Sequence, residues 1–278
     1  MNYRIVGDSC TDLTAEMKKD THFYLVPLSI DIDGERFEDD ETFNQQEFIK
    51  KMTASPNAPK SSCPAPEAYM EAYDVEGDIY VVTLTANLSG SYNSAELAKK
   101  LFLEEHPDKK IAVFNSCSAS SGQMLIAIKI QELLNAGTSF EDVVDQVNEY
   151  IAGQQTKFVL ESLENLRKNG RLSNMKAFIA SALNIKPVME ATQDGQIAQL
   201  TQARGINKAL KTMVDLIQKD VKDPMNRIVG IAHCNNFERA KFVKEEILSK
   251  IPFKSCIITE MAGISTLYAN DGGIIVSY

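Results

Sequence analysis

Hydrophobic and polar positions recur along this chain in two textures. Short runs rich in Val, Ile and Tyr, at residues 3–7, 24–32, 79–84 and 111–115, read as strands. Between them, residues 92–104, 122–136 and 139–151 show helical spacing. In the last of these Val143, Val144 and Val147 share one face, Ser139 is placed as the N-cap, and Glu141 and Asp142 fall in the first turn. Strands alternating with helices predict a mostly parallel, helix-covered sheet.

The second half has a different rhythm. Strands are expected at 157–160, 185–190 and 196–201, the last two joined across the turn signal Asp194-Gly195, so a hairpin and a mixed or antiparallel sheet follow. Helices at 207–219 and 237–248 flank a strand at 227–234, and strands near 256–261 and 273–278 close the chain. The fold class is therefore α/β, with a parallel N-terminal domain over 1–153 and a mixed C-terminal domain over 154–278. Residues 31–41 read as an acidic, solvated hairpin and loop, and 53–66, with four prolines, as a stiff irregular segment.

Composition narrows the function more than the fold. The 278 residues carry a formal net charge of −9, which argues against nucleic acid as a partner and leaves only transient contact with an anionic membrane surface. The first residues enter a strand without a signal-like core, and no apolar run reaches the ~18 residues of a membrane span. Five scattered cysteines without a CxxC pair fit free thiols in a reducing cytoplasm.

Candidate chemistry lies at strand ends. Residues 80–98 form an apolar strand running through Asn87-Leu88-Ser89-Gly90-Ser91 into a helix. Free N–H groups and the positive end of the helix dipole attract a carboxylate or phosphate there, although a plain strand–helix junction has the same composition. Lys60-Ser61-Ser62-Cys63-Pro64 supplies a second hydroxyl cluster, and Asn115-Ser116-Cys117-Ser118 a third, each also open to a capping role. Asp8-Ser9-Cys10-Thr11-Asp12 reads as structural, with Thr11 or Asp12 capping a helix. Arg171, after the glycine turn at Gly170, and Arg204, before Gly205, are each either solvated or an anion contact. His233 ends a strong strand and reads as a satisfied structural histidine. Serine-hydrolase, phosphate-loop and zinc-protease motifs are absent from the sequence, so an anion-receptive cleft stands without a nucleophile, base and metal together.

Taken in order, Ile5-Val6-Gly7-Asp8-Ser9, Val26-Pro27-Leu28, Ser61-Ser62-Cys63-Pro64, Leu88-Ser89-Gly90-Ser91-Tyr92 and Asn115-Ser116 make a pattern. Gly170-Arg171-Leu172-Ser173, Ile185-Lys186-Pro187-Val188, Ala203-Arg204 and Gly272-Gly273 continue it across nearly the whole chain. This pattern resembles the DegV family, bacterial fatty-acid-binding proteins that include the lipid-binding subunits of fatty acid kinase. The resemblance implies a non-enzymatic, cytoplasmic protein that encloses one long-chain fatty acid between two α/β domains and needs no cofactor or metal. It further implies a carboxylate held by Ser61, Ser62 and Ser89, with Gly90 and Ser91 beside it. Arg171, Arg204, Tyr268 and Ser116 are implied near the head group or an ATP-binding kinase subunit that phosphorylates the acyl group. The sequence departs from the family pattern at Cys63, where Gln is usual, at Asn115, where Asp is usual, and at Tyr268, where many members carry His. A phosphoryl- or acyl-transfer enzyme using Ser89 or His233, and a carrier of another amphiphilic carboxylate, are the alternatives.

Overall fold

Residue Pro27 divides what reads in sequence as one strand. A computed structural model describes residues 2–172 and 184–278. In it the chain runs β1 (Tyr3–Asp8), β2 (Phe23–Val26), β3 (Ser29–Ile32), β4 (Glu35–Glu38), α1 (Gln45–Ala54), β5 (Lys60–Ser62) and α2 (Pro66–Tyr73). It continues through β6 (Asp78–Thr83), α3 (Ser91–Glu105), β7 (Ile111–Asn115), α4 (Ser121–Asn135) and α5 (Phe140–Gly153). The expected strand at 24–32 is thus two strands in two sheets, because proline has no N–H for a ladder and Leu28 N instead donates to Ser9 Oγ at 3.1 Å.

The second half holds β8 (Thr156–Val159), α6 (Glu164–Lys168), β9 (Ile185–Ala191), β10 (Ile197–Arg204), α7 (Ile206–Asp220) and β11 (Ile228–His233). After these come α8 (Phe237–Leu248), β12 (Ser255–Glu260), α9 (Gly263–Ala269) and β13 (Ile274–Ser277). The protein is a mixed α/β fold. A parallel sheet has the order β2-β1-β6-β7, and a six-stranded sheet, β10-β9-β8-β13-β11-β12, is antiparallel except for β11 beside β12. A small antiparallel sheet, β4-β3-β5, pairs Ser61 with Ile30 and Ser62 with Ser29. Residues 53–66 are therefore not wholly irregular, since they supply β5.

Burial follows the residue pattern. Helices α4 and α5 pack Met124, Ile130, Val143 and Val147 onto one face of the parallel sheet, with Ser139 Oγ accepting from Asp142 N at 3.2 Å as the N-cap. Helices α2 and α3 cover the other face through Tyr69, Tyr73, Ala95 and Phe102. In the second half α7 and α8 bury Leu210, Met213, Val243 and Ile247 against the six-stranded sheet. The opposite face of that sheet, carrying Phe158, Leu160 and Met189, looks toward the first half of the chain.

Buried acids tie the two halves together. Asp39, expected in a solvated loop, is only 3% exposed, and its two oxygens accept Gly263 N at 2.5 Å and Ile264 N at 2.9 Å. Neither Thr11 nor Asp12 is a helix N-cap: Thr11 lies inside the 3-10 turn Ser9–Thr11, and Asp12, left-handed (φ 49°), ends that turn, its carboxylate accepting Ala262 N at 2.7 Å and Ser120 Oγ at 2.5 Å. Asp39 and Asp12 fasten the first turn of α9, the helix dipole favouring negative charge there. Burial outweighs these bonds and lifts Asp12 from 3.8 to about 7, and Asp8 and Asp39 to about 6. A raised carboxyl means the folded protein holds the extra proton. Its contribution to stability is fully present below the unfolded value near 3.8 and is lost as pH rises through about 7. Asp12→Asn keeps an acceptor for Ala262 N and does not titrate. Relative to wild type the variant is expected to gain about 2 kcal/mol in urea unfolding between about pH 5 and pH 8; a pH-independent difference contradicts this.

Candidate functional site

The carboxyl ends of parallel strands are where open α/β sheets gather ligand loops. Here the loops after β1, β6 and β7 bring Cys10, Leu84, Thr85, Ser118 and Ala119 to one edge, against the six-stranded sheet. Between them lies a cavity of about 380 Å³, within the range of small-molecule sites. The sheet contributes Thr156, Phe158 and Leu160, alternate positions that share one face of β8 and its extension, together with Ile197 and Ile275. Helix α9 forms another wall with Ile264, Ser265, Tyr268 and Ala269.

The cavity is mostly apolar inside, apart from the buried hydroxyls of Thr85, Ser118, Thr156 and Ser265, and polar where it meets solvent. Ser61, Ser62, Cys63, Ser89, Gly90 and Arg171 line it there, with Ser62, Cys63 and Gly90 exposed and Ser61, Ser89 and Arg171 half-buried. The two serine loops touch: a Cβ on Gly90 would stand 2.9 Å from Cys63 Sγ, so glycine permits the approach, and Ser94 Oγ donates to Pro64 O at 2.6 Å. Ser61 Oγ and Tyr268 OH share a hydrogen bond of 2.7 Å, the phenol occupying the place where the family resemblance puts His. The Arg171 guanidinium lies 5.8 Å from the Tyr268 ring centroid. It is not a solvated arginine: Nε donates to Leu88 O at 3.3 Å and one terminal N–H to Asn169 O at 2.6 Å. Side chain and mouth loops therefore form one assembly.

Two expected residues stand elsewhere. Ser116 is buried, donating to Ser118 O at 2.9 Å and accepting Ser118 N at 3.1 Å; its hydroxyl is used by the turn, and Ser118 reaches the cavity instead. Arg204 ends β10 exposed and is not on the cavity wall. Ser91 is buried directly behind the mouth, sharing a 2.9 Å hydrogen bond with Ser89. Ser173 falls outside the described residues.

Beyond Ser118, which the sequence names only within its serine cluster, other residues on and behind the wall escaped sequence reasoning. At the buried end Ser118 and Thr156 share a 2.7 Å hydrogen bond, Thr156 and Ser277 one of 2.8 Å, and Ser277 and Ser121 one of 2.9 Å, so a hydroxyl chain ties the halves together. The tip of the β9–β10 hairpin closes one side: Thr85 Oγ1 donates to Gly195 O at 3.2 Å and Asn87 Nδ2 to Asp194 O at 2.5 Å. The only signal for that closure was the turn itself. Ser265 had a fainter one, the hydroxyl pair Ser265-Thr266 ahead of Tyr268.

The wall can bind but has little to react with. Among the described residues no carboxylate or imidazole lines the cavity. His233 is buried at the end of β11, its Nδ1 accepting Asn236 N at 3.3 Å, and burial holds its pKa below the usual 6.5. No group of three or more potential metal-ligating side chains occurs among the described residues, nor any helix long and apolar enough to cross a membrane. What remains is a set of neutral hydroxyl donors, the amino end of the fifteen-residue α3 and one guanidinium, at the open end of an apolar pocket.

Known proteins share this fold. A DegV family model, described as an uncharacterised protein of that family, matches residues 2–278. A DegV domain-containing protein of Streptococcus pyogenes is 37% identical, the match covering 100% of this chain and 99% of that protein. A solved structure of a DegV family protein from Ruminococcus gnavus, refined with vaccenic acid, is 50% identical with a TM-score of 0.97, covering 99% of each chain. The Streptococcus pneumoniae fatty acid kinase B3 protein, solved with linoleic acid, is 34% identical with a TM-score of 0.91, covering 100% of this chain and 99% of the other. The match to the family along almost its full length, on a fold shared with fatty-acid-loaded relatives, makes this chain a member of the DegV family.

Proposed function

We propose that this protein carries one long-chain fatty acid, with the acyl chain in the cavity and the carboxylate at Ser61, Ser62, Ser89 and Gly90. The observation that carries the reading is the largely apolar cavity whose open end gathers hydroxyls beside a helix amino end and Arg171. Hydrogen bonds to a charged acceptor contribute roughly 1.5–3 kcal/mol each, and about 0.8 kcal/mol per buried CH₂ supplies the larger share of affinity. The halves 1–153 and 154–278 act as two domains closing over the chain. The protein works in the cytoplasm without cofactor and without turnover of its own, touching membranes only in passing.

In the finer reading, the bound acid is presented to an ATP-binding kinase subunit that forms the acyl phosphate. The likeness to the pneumococcal fatty acid kinase B3 protein supports this, and so does Arg171 at the mouth. A guanidinium fork suits a phosphorylated head group better than an ammonium would.

Native mass spectrometry of protein purified from its own host tests the first reading, and addition of ATP with the host's kinase subunit tests the second. A bound mass of fatty-acid size, converted to acyl phosphate, is expected. Arg171→Ala should keep the lipid and lose at least tenfold in conversion, with Arg171→Lys recovering little. An empty wild-type protein that accepts no fatty acid on addition overturns the carrier reading. A loaded protein that the kinase ignores favours a carrier of amphiphilic carboxylates outside that route.

A further inference from the structure

The buried wall of the cavity carries more polarity than an alkyl chain can use. Thr85, Ser118, Thr156 and Ser265 line it at 5% exposure or less. Two of these hydroxyls are taken up locally. Thr85 Oγ1 donates to Gly195 O at 3.2 Å and accepts Asn87 N at 3.4 Å, and Ser265 Oγ pairs with the Cys10 thiol at 3.5 Å. Ser118 and Thr156 belong instead to the series Ser118–Thr156–Ser277–Ser121, whose bonds measure 2.7, 2.8 and 2.9 Å.

That series leaves one proton over, since four hydroxyls carry four protons and three bonds use three of them. Run from Ser118 toward Ser121, the fourth proton goes to Ile275 O at 3.5 Å, and Ser118 Oγ keeps lone pairs open at the cavity wall. Run the other way, the Ser118 proton is left over, and its backbone acceptor, Ala119 O, stands at 3.5 Å, beyond a good O–H···O bond. In either direction the member on the wall has capacity to spare.

The spare hydroxyl is also held in place. Ser116 Oγ donates to Ser118 O at 2.9 Å and accepts Ser118 N at 3.1 Å, while Thr85 N donates to the same carbonyl at 3.0 Å. From the other side α4 closes over it, for a Cβ on Gly122 would collide with Ser118 Oγ. A fixed hydroxyl left unmet under a dry alkyl chain costs free energy.

We propose that the cavity takes a long-chain fatty acid bearing an oxygen along its chain, a hydroxyl or oxo group that pairs with Ser118. The inference rests on the fatty-acid reading above and names the class of acid within it. A hydroxyl substituent fits both directions of the series. It donates to Ser118 when Ser118 donates to Thr156, and it accepts from Ser118 when the series runs back. An oxo group fits the second direction alone. Ser118 is thereby the specificity residue, and Thr156, Ser277 and Ser121 set which way its proton points.

Affinities of wild-type protein are measured for octadecanoate and for a positional series of hydroxyoctadecanoates, the hydroxyl moved carbon by carbon along the chain. Isomers whose hydroxyl falls against apolar wall should bind about tenfold or more weakly than octadecanoate. One position should stand out, binding as tightly as octadecanoate or up to about tenfold more tightly. For that isomer Ser118→Ala should lower the ratio of hydroxy-acid to octadecanoate affinity about five- to tenfold. Ser118→Ala combined with Thr156→Val, which strips both hydroxyls from the wall, should lower it at least as far. The ratio cancels any loss of packing that the two acids share. Weaker binding of every isomer than of octadecanoate overturns the proposal while leaving acyl-chain binding intact. A preference that survives in the double variant overturns it too, because the oxygen then rests on other groups. A wild type that binds neither octadecanoate nor any isomer overturns the fatty-acid reading itself, and this inference with it.

Discussion

Ser89→Ala is expected to weaken retention of a long-chain fatty acid by about 10- to 150-fold while changing unfolding stability by no more than about 1 kcal/mol. The first figure is the loss of one hydrogen bond to a charged acceptor. The second is small because the Ser89 hydroxyl supports the fold only by accepting Ser91 N–H and bonding Ser91 Oγ, at a half-buried site where water can substitute. Ser61→Ala should behave alike, with an added effect because it also releases Tyr268 OH. The double alanine variant should be worse than either single one. Ligand titration beside urea unfolding separates the two quantities, and a large stability loss with unchanged affinity would make Ser89 only a turn residue.

The second large effect is one of backbone. Gly195, at the tip of the β9–β10 hairpin, has φ +80°, and a Cβ there would stand 2.8 Å from Cys117 Cα while pressing on the Thr85 side chain. The backbone atom cannot yield as a side-chain end could. Gly195→Ala is therefore expected to cost about 2–5 kcal/mol and to spoil ligand retention, because this residue is part of the cavity wall. Gly34 is the internal control. Its φ is +81° but nothing lies within 4 Å of its Cβ position, so Gly34→Ala should cost only the conformational share, about 1–2 kcal/mol. Equal losses in the two variants would show that crowding at the hairpin tip contributes nothing.

These two sites also mark what the residues alone could reveal. The parallel sheet was legible because its strands are buried on both faces and read as continuous apolar runs, as at Tyr80, Val81 and Val82. Helix α5 was legible because Val143 and Val147 repeat at helical spacing behind an N-cap serine. Helix α9 was not. Six of its seven residues are buried, so it shows no polar face and no period. Helices α1 and α2 were missed too; α2 is short, starts on Pro66 and buries tyrosines and alanine rather than a leucine stripe.

The candidate site was legible in proportion to how local its geometry is. Ser61, Ser62 and Ser89 stand beside turns that fold them to the sheet edge, and the sequence marks those turns. The choice between Ser116 and Ser118 is not written there, since both are serines in one loop and only the folded turn decides which hydroxyl it uses. The same holds for Arg171 and Arg204, which look alike beside glycine turns. Long-range packing puts one at the mouth and leaves the other exposed. The Ser61–Tyr268 pair joins residues 207 positions apart, and the acids that hold α9 come from Asp12 and Asp39, whose local sequence suggests only a cap and a loop.

The placement of a fatty carboxylate among the mouth serines is tested most directly by the carbon-13 resonance of hexadecanoate labelled at its carboxyl carbon. Added to the wild-type protein, the label should give one slowly exchanging bound resonance displaced from the free acid. That resonance should move again in Ser89→Ala and in Ser61→Ala, and stay in place in Arg204→Ala, whose side chain lies away from the cavity. A bound resonance that is the same in wild type and both serine variants would contradict the account, because the carboxylate would then rest on other groups.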